Sequence, residues 1–259
     1  MTHPSTKIAL VTGASRGIGA AIALELARQG YHVIGTATTD SGAQAITQAL
    51  SAYPGCRGAA LIVNDGAAVD ALIDEIVKTQ GGLHVLVNNA GIQHVASVQD
   101  FPPEKWDAII AINLTSAFHT TRLALPAMLA AGWGRIINVA SVHGLVASAH
   151  KSAYVAAKHG IVGLTKVTAL ENATTGVTCN AICPGWVLTP LVQKQVDAKA
   201  AQHGISNEEA TKLLLGEKEP SMQFTTPEEL GALAVFFCSP AANNVRGVAW
   251  NMDGGWTAQ

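Results

Sequence analysis

A serine, a tyrosine and a lysine occur in residues 141–158, SVHGLVASAHKSAYVAAK, at a spacing that suits proton transfer. Tyr154 and Lys158 are four residues apart, so a helix would place both side chains on one face. The Lys158 ammonium beside the phenol favours the phenolate, which should lower the pKa of Tyr154 from its reference value of about 10. Such a phenol can take a proton from an alcohol or return one to a carbonyl oxygen. Ser141 can hold the same substrate oxygen by a hydrogen bond.

A tyrosine and a lysine at this spacing also occur by chance in many helices, so the surrounding chain must decide. Residues 7–12, KIALVT, predict a buried strand, and a helical pattern follows from Ile18. Between them stand Gly13, Gly17 and Gly19 in the spacing GxxxGxG. Glycines in this context let the backbone approach a pyrophosphate, which the free N–H groups of the helix start would bind. The turn therefore predicts a dinucleotide site.

The end of the second predicted strand bears on which dinucleotide is bound. An acidic residue there would hydrogen-bond the adenosine ribose 2′-hydroxyl and favour NAD. Residues 32–37, HVIGTA, are followed by no acid before Asp40. Arg16, inside the glycine turn, can reach a 2′-phosphate instead, and a solvated surface arginine is the alternative interpretation.

Strands and helices alternate along the remaining chain, which predicts crossover units and a parallel sheet. The later strands are predicted over residues 58–63, 84–91, 135–141, 177–182 and 248–253. Without an internal repeat or linker, residues 1–259 are predicted to form one domain. Residues 188–226 interrupt the alternation with two polar helical stretches, which predicts a lid, or else an ordinary surface excursion.

Asparagines are predicted to serve the site at two places. Asn88 and Asn89 end a strand in the motif NNAG, where amide side chains can tie loops together and line a ligand crevice. Asn113 lies in the middle of a helix predicted over residues 103–131, although asparagine is a poor helix former. It can widen the helix locally and bind water, and a surface position is the alternative.

Composition excludes several classes of function. Charged residues make up only 13% of the chain, and the net charge of −2 gives no reason to expect nucleic acid or an anionic membrane as partner. The four cysteines lack metal-ligand spacing, so no metal site is predicted, and free thiols fit a reducing compartment. The first six residues lack the apolar core of a signal peptide, and no apolar run is long enough to span a membrane. A cytoplasmic location is expected.

Together these motifs resemble the short-chain dehydrogenase/reductase family over essentially the whole chain. The resemblance implies a doubly wound Rossmann fold, with helices on both faces of a seven-stranded parallel sheet, a nicotinamide cofactor and usually a homotetramer. It also implies a catalytic tetrad of Asn113, Ser141, Tyr154 and Lys158. The positions that match cofactor contacts of the family are Gly13, Ser15, Arg16, Gly17, Ile18, Gly19, Thr38, Val63, Asn89, Ala90, Gly91, Tyr154, Lys158, Pro184, Gly185, Val187 and Thr189.

Two branches of the family are resembled at once. From Asn88 onward, the motifs NNAGIQH, AICPGWVLTPLVQKQ and DGGWTA are similar to the bacterial D-3-hydroxybutyrate dehydrogenases. Positions matching their substrate contacts are Gln93, His143, Lys151 and Gln195 for the carboxylate, with Trp186 and Trp256 shaping the pocket. Residues 7–50 are more similar to the 3-oxoacyl-[acyl-carrier-protein] reductases, which use NADPH and match at Arg16 and Thr38. Ile62 departs from the Asp or Asn that relatives carry beside the adenine ring.

The residues themselves also favour a small acid as substrate. Lys151 lies three residues before Tyr154 and His143 two after Ser141, so polar groups suited to a carboxylate converge near the reacting centre unless they are merely solvated loop residues. We therefore expect NAD(P)-dependent interconversion of D-3-hydroxybutyrate and acetoacetate, with dual or relaxed use of NAD and NADP. The alternatives are NADPH-dependent reduction of 3-oxoacyl-carrier thioesters and a dinucleotide-binding regulator without turnover.

Overall fold

Seven parallel strands form one sheet in the computed structural model, which describes residues 6–258. The strands are β1 Ile8–Val11, β2 His32–Ala37, β3 Arg57–Ala60, β4 Val85–Asn88, β5 Gly134–Val139, β6 Val177–Pro184 and β7 Ala249–Met252. The helices are α1 Gly17–Arg28, α2 Asp40–Ala49, α3 Gly66–Gln80, α4 Pro103–Ile110, α5 Ser116–Ala130, α6 Ser152–Glu171, α7 Pro190–His203, α8 Asn207–Gly216 and α9 Pro227–Cys238. The predicted seven-stranded parallel sheet is confirmed.

Both faces of the sheet are covered, as an all-parallel sheet requires. Side chains of a strand alternate between faces, so Ala9 and Val11 join one core cluster while Ile8 and Leu10 join the other. The first cluster packs against α1, α2 and α9, and the second against α3 and α5. The resulting doubly wound architecture agrees with the fold class predicted from the sequence.

The order of the strands is β3-β2-β1-β4-β5-β6-β7. The chain moves outward from β1 to β3 and then returns to add β4 on the other side of β1. Ligands of such sheets bind outside the carboxyl ends of the strands at the point where the order reverses. Here that point lies between the loops that follow β1 and β4.

Most strand ends differ from the prediction by one to three residues: β4 ends at Asn88 rather than at Gly91, and β5 at Val139 rather than at Ser141. β3 ends at Ala60 rather than at Val63, because Leu61 makes its last backbone bond to Ala37 and the chain then turns into α3. β6 continues to Pro184, because β7 pairs with it up to that residue. Within residues 6–258, no helix has both the length and the apolar character to cross a bilayer.

The long predicted helix is broken in its middle by a π turn. Residues Ala111–Thr115 form this turn between α4 and α5, and Asn113 stands at its centre. Such bulges are rare and occur often at functional sites. The predicted widening at Asn113 is therefore confirmed, and the alternative of a surface asparagine is wrong because only 2% of its area is exposed.

Candidate active site

A cavity of about 660 Å³ opens at the carboxyl ends of the strands. It is lined by every residue predicted to contact cofactor or substrate and by three of the four predicted tetrad members. The predicted residues along its walls are Gly13, Ser15, Arg16, Gly17, Ile18, Gly19, Thr38, Val63, Asn89, Ala90, Gly91, Gln93, Ser141, His143, Lys151, Tyr154, Lys158, Pro184, Gly185, Trp186, Val187, Thr189, Gln195 and Trp256. The exception is Asn113, which lies behind the wall.

The glycine turn is built for close approach of backbone and ligand. Gly13 and Gly17 adopt φ values of +67° and +57°, which side chains rarely tolerate. A Cβ atom at Gly19 would collide with the Gly13 carbonyl oxygen and the Asn89 amide. The N-terminus of α1 therefore faces the cavity without side chains in the way, which fits the pyrophosphate of a dinucleotide.

Asn89 fastens this turn to the end of β4. Its amide nitrogen donates to the carbonyl oxygens of Thr12 and Gly13, at 2.9 and 3.0 Å. The hydroxyl oxygen of Thr12 in turn accepts hydrogen bonds from the N–H groups of Asn89 and Ala90, at 3.0 Å each. The amide at the strand end ties neighbouring loops, as the NNAG motif predicts.

The other asparagine of the motif points away from the cavity. Asn88 donates to Asn138 Oδ1 at 2.9 Å and accepts from the Thr120 hydroxyl at 2.6 Å, in a buried network. Asn138 in turn donates to Thr165 at 2.8 Å. Because these groups join β4 and β5 to α5 and α6, the floor of the site is held by satisfied buried polar groups.

Arg16 and Thr38 both line the cofactor end of the cavity, and both side chains are exposed. Thr36 is buried instead, where its hydroxyl accepts from the Gly13 N–H at 3.2 Å and so holds the turn. Ile62 is 54% exposed on the wall while Val63 is buried. The end of β2 thus offers no carboxylate to the wall, because Asp40 starts α2 and does not line the cavity.

Ser141, Tyr154 and Lys158 come together at the inner end of the cavity. Ser141 follows β5, and one face of α6 carries the tyrosine and the lysine. Lys158 is buried and donates through Nζ to the Val139 carbonyl oxygen at 2.7 Å. Its nitrogen lies 5.5 Å from the Tyr154 ring centroid, so the predicted proximity of the two groups is present.

Burial of Tyr154 opposes the predicted effect of Lys158 on the phenol. Burial raises the pKa of Tyr154, and the Ser141 hydroxyl opposes the rise as a hydrogen-bond partner of the phenolate. Burial also lowers the pKa of Lys158 to about 8, because desolvation destabilises the charged ammonium. Desolvation is therefore the largest influence on the pKa of both groups.

Asn113 acts on the backbone of the loop that follows NNAG. Its Oδ1 accepts from the Ile92 N–H and its Nδ2 donates to the Ile92 carbonyl oxygen, both at 2.9 Å. These bonds use one N–H and one oxygen lone pair of the amide and leave one of each for the water that the sequence predicts here. The π turn places this side chain where it fixes the loop that carries Gln93.

An aromatic wall closes the substrate end. The His143 ring meets Tyr154 and Trp256 edge-on, with centroids 5.9 and 5.4 Å apart, and Trp186 lies 6.3 Å from Trp256. The alternative of a solvated loop residue is wrong for His143, which is 5% exposed and bonded to Ser148 at 3.0 Å. Burial first, and then Lys151, lower the pKa of His143 to about 4, so the ring is neutral at pH 7.

Lys151 supplies a cation at this end. It is half-buried, burial lowers its pKa, and its Nζ lies 5.6 Å from the Trp186 ring. Its segment is tied by a bridge to Ala96, whose N–H donates to His150 at 3.0 Å. Gln93 and Gln195 line the mouth of the cavity and are exposed. Lys218 also places its Nζ 5.9 Å from the Trp256 ring, but it is exposed and does not line the cavity. The Lys151 ammonium on the cavity wall at this end suits a small monoanion.

The loop after β6 joins the two ends of the cavity. Thr189 caps α7 by accepting from the Val192 N–H at 3.4 Å, and its methyl group occupies the space that a Cβ at Gly17 would need. Pro184, Gly185 and Val187 line the wall between them. In the described part of the chain, no three His, Cys, Asp or Glu side chains meet as a metal site would require.

Comparison with known proteins identifies the family. The family model for short chain dehydrogenases matches residues 7–200. D-beta-hydroxybutyrate dehydrogenase of Cupriavidus necator is 63% identical over 256 residues, which cover 98% of each chain. The chain belongs to the short-chain dehydrogenase family. The predicted resemblance is thus confirmed over nearly its full length.

More distant relatives of this short-chain dehydrogenase represent both predicted branches. D-beta-hydroxybutyrate dehydrogenase of Rhizobium meliloti is 46% identical over 261 residues, covering 98% of this chain and all of its own. 3-Oxoacyl-[acyl-carrier-protein] reductase of Vibrio cholerae is 39% identical over 249 residues, or 96% of each chain. Among solved structures, a crystal structure of an actinorhodin polyketide ketoreductase variant with NADPH is similar, with a TM-score of 0.92 and 34% sequence identity. The alignment spans the full length of both chains. The family and this neighbour indicate a nicotinamide dinucleotide cofactor.

Sequence reasoning missed several residues of the short-chain dehydrogenase site. Thr12 and Thr36 hold the glycine turn, and Ser148 holds His143. Thr12 and Thr36 stand at strand ends, a position that could have flagged them. Nothing in the sequence flags Glu219, which is buried behind Trp186.

Proposed function

We propose that the protein interconverts D-3-hydroxybutyrate and acetoacetate by hydride transfer to and from a nicotinamide dinucleotide. The observation that carries the proposal is the half-buried Lys151 ammonium, which lies 5.6 Å from the Trp186 ring and lines the same cavity as Tyr154. A carboxylate paired with Lys151 would bring the 3-hydroxyl of a four-carbon acid towards the phenol. The 63% identity to a dehydrogenase of that substrate supports the same assignment.

In the oxidation direction, the phenolate of Tyr154 accepts the hydroxyl proton while the hydrogen on C3 leaves as hydride. A nicotinamide held along the wall from the glycine turn to Thr189 would supply the hydride acceptor. Ser141 orients the alcohol oxygen, and Lys158 offsets the negative charge of the phenolate. Asn113 keeps the loop bearing Gln93 in place through Ile92. Reduction of the keto acid reverses each step, with the phenol returning its proton.

Charge and size both favour a small monocarboxylate. His143 is neutral at pH 7, and Lys151 is the cation that lines the aromatic side of the cavity, whereas Lys218 lies outside the lining. A single charge-assisted hydrogen bond can satisfy one carboxylate without leaving a buried charge unpaired. Trp186 and Trp256 restrict the space beyond the short carbon chain.

Reduction of 3-oxoacyl thioesters is the second candidate, and the identity to a carrier-protein reductase supports it. That substrate would need an open channel for the pantetheine arm, and the tryptophan pair narrows this end of the cavity. A regulator without turnover would need none of the four tetrad groups.

A substrate panel with both cofactors tests the proposal. D-3-hydroxybutyrate, its L-isomer, longer 3-hydroxy acids and a 3-oxoacyl thioester would be compared by kcat/KM. We expect the short D-hydroxy acid to be preferred over its L-isomer and over the thioester. A higher kcat/KM for the thioester with NADPH would reverse the assignment, and no turnover with any of them would favour the regulator.

We propose dual or relaxed use of NAD and NADP, because no acid stands on the cavity wall at β2 and Arg16 is exposed there. Arg16 can pair with a 2′-phosphate through two parallel hydrogen bonds, whereas NAD offers it only a hydroxyl. Arg16→Ser should therefore weaken NADP selectively. Steady-state kinetics with each cofactor, on wild type and variant, measure this. A strictly NAD-dependent wild type with a neutral Arg16→Ser would identify the arginine as a surface residue.

We propose that residues 188–226 act as a lid. Its helices α7 and α8 share a small core of their own, which includes Val196 and Leu214 and packs on Trp186. A unit with few other contacts can open without disturbing the sheet. Limited proteolysis within residues 188–226 should slow when cofactor and hydroxy acid are both present. Equal cleavage rates with and without ligands would argue against closure.

We further propose a homotetramer. Large apolar side chains stay exposed on α5, α6 and β7, among them Phe118, Leu170 and Trp250. The low charge content of the chain also leaves surface that association can cover. A solution mass of four chains is the expected result of light scattering.

A further inference from the structure

Glu219 is a buried carboxylate to which neither the fold nor the proton-transfer chemistry assigns a role. It follows α8 at the end of the lid and is only 1% exposed. Its Oε1 accepts from the backbone N–H of Trp186. Its Oε2 is buried without a hydrogen-bond partner among residues 6–258. Burying a carboxyl oxygen without a hydrogen-bond partner is unfavourable, so this side chain behind the pocket wall needs a functional explanation.

The surroundings of Glu219 are shaped to admit it. A Cβ atom at Gly185 would collide with Oε1, and one at Gly254 would lie 3.3 Å from Oε2. Burial, and then the charge of Asp253, raise the pKa of Glu219 to about 7. The Trp186 N–H opposes this rise by its hydrogen bond to the carboxylate. The carboxyl group lies beside the turn that follows β7, and Trp256, which comes after this turn, forms the facing wall.

Trp186 is held on both sides of its peptide by the segment that contains Glu219. Its carbonyl oxygen accepts from the Thr225 N–H at 3.0 Å, while its own N–H goes to Glu219. β6 has already ended at Pro184, so no neighbouring strand supplies a carbonyl for that N–H. The glutamate side chain takes the place of the missing strand partner.

We propose that Glu219 is a positioning residue for substrate: its carboxyl holds the Trp186 peptide and thereby couples the end of the lid to the substrate wall. The identity of the substrate in this inference rests on the proposed function, whereas the contact between Glu219 and Trp186 is observed directly. Gly185 and Val187 beside Trp186 also match cofactor contacts, but the glycine turn suited to the pyrophosphate lies on other elements. Glu219 should therefore influence hydroxy-acid binding more than binding of the whole dinucleotide.

Three variants test this: Glu219→Ala, Glu219→Gln and, as a matched control, Glu208→Gln on the exposed side of α8, where the side chain is 79% exposed. Alanine removes the acceptor of a buried N–H, whereas glutamine keeps an oxygen acceptor and resembles the neutral acid. We expect Glu219→Ala to raise KM for D-3-hydroxybutyrate roughly tenfold, the ratio that 1.4 kcal/mol gives, with cofactor Kd within about twofold. Glutamine should restore most of the loss, and the control should match wild type.

A merely structural role would lower the melting temperature of Glu219→Ala and leave the ratio of the two affinities unchanged, and that result would overturn the proposal. So would an alanine variant with wild-type KM. A second readout needs no turnover: the emission of Trp186, obtained by subtracting the Trp186→Phe spectrum in each background, should become more accessible to acrylamide in Glu219→Ala. If wild type fails to oxidise hydroxybutyrate, the proposed function falls while the quenching result still decides the role of Glu219.

Discussion

Replacing Tyr154 by phenylalanine should abolish turnover while leaving cofactor affinity nearly intact. Only the hydroxyl is removed, and the ring keeps its contact with His143. The neighbouring groups are poor replacements. The Ser141 hydroxyl lies 3.3 Å from His143 Nδ1, but burial lowers the pKa of that ring to about 4 and makes it a weak base. The Lys158 ammonium is bound to the Val139 carbonyl. The loss in kcat should therefore exceed the roughly 10²–10⁴-fold that is typical of one acid–base group.

Steady-state kinetics and a fluorescence titration of cofactor binding measure the two parts of this prediction. Tyr53→Phe is the matched control, because Tyr53 packs on the core beneath α1 and lies away from the cavity. It should retain wild-type kcat. Activity of Tyr154→Phe within tenfold of wild type would remove Tyr154 from the chemistry and with it the tetrad assignment.

The sequence predicted best what backbone geometry dictates. The glycine turn needs φ values at Gly13 and Gly17 that side chains rarely tolerate, and it has no room for a Cβ at Gly19, so these three glycines mark it between a strand and a helix. The i, i+4 spacing likewise places Tyr154 and Lys158 on one face of α6. These features are local, and local rules carry over from sequence to structure without knowledge of the packing.

Properties that depend on distant neighbours were predicted less well. The pKa of Tyr154 follows from burial by the whole site rather than from the lysine four residues away. The side chain of Asn113 serves Ile92, which is 21 residues distant, and Glu219 serves Trp186, which is 33 residues distant. Such pairs arise only when the chain is folded, so spacing along the sequence cannot reveal them.

Lys151→Ala should impair recognition of the carboxylate and leave the proton-transfer groups intact. A charge-assisted hydrogen bond to a carboxylate contributes roughly 1.5–3 kcal/mol, which corresponds to a loss in kcat/KM of roughly 10- to 150-fold. Partial burial of the ammonium beside Trp186 limits screening by solvent, which favours the upper part of that range. The expected change lies in KM more than in kcat.

An uncharged ester of the same hydroxy acid separates charge recognition from damage to the pocket. The ester cannot pair with an ammonium, so Lys151→Ala should reduce its kcat/KM far less than that of the acid. Lys78→Ala on α3 controls for the loss of a lysine at a site remote from the cavity, since its side chain is 72% exposed. If ester and acid lose activity alike, Lys151 supports the aromatic wall and does not bind the carboxylate, and the preference for a small acid must then come from Gln93, Gln195 or His143.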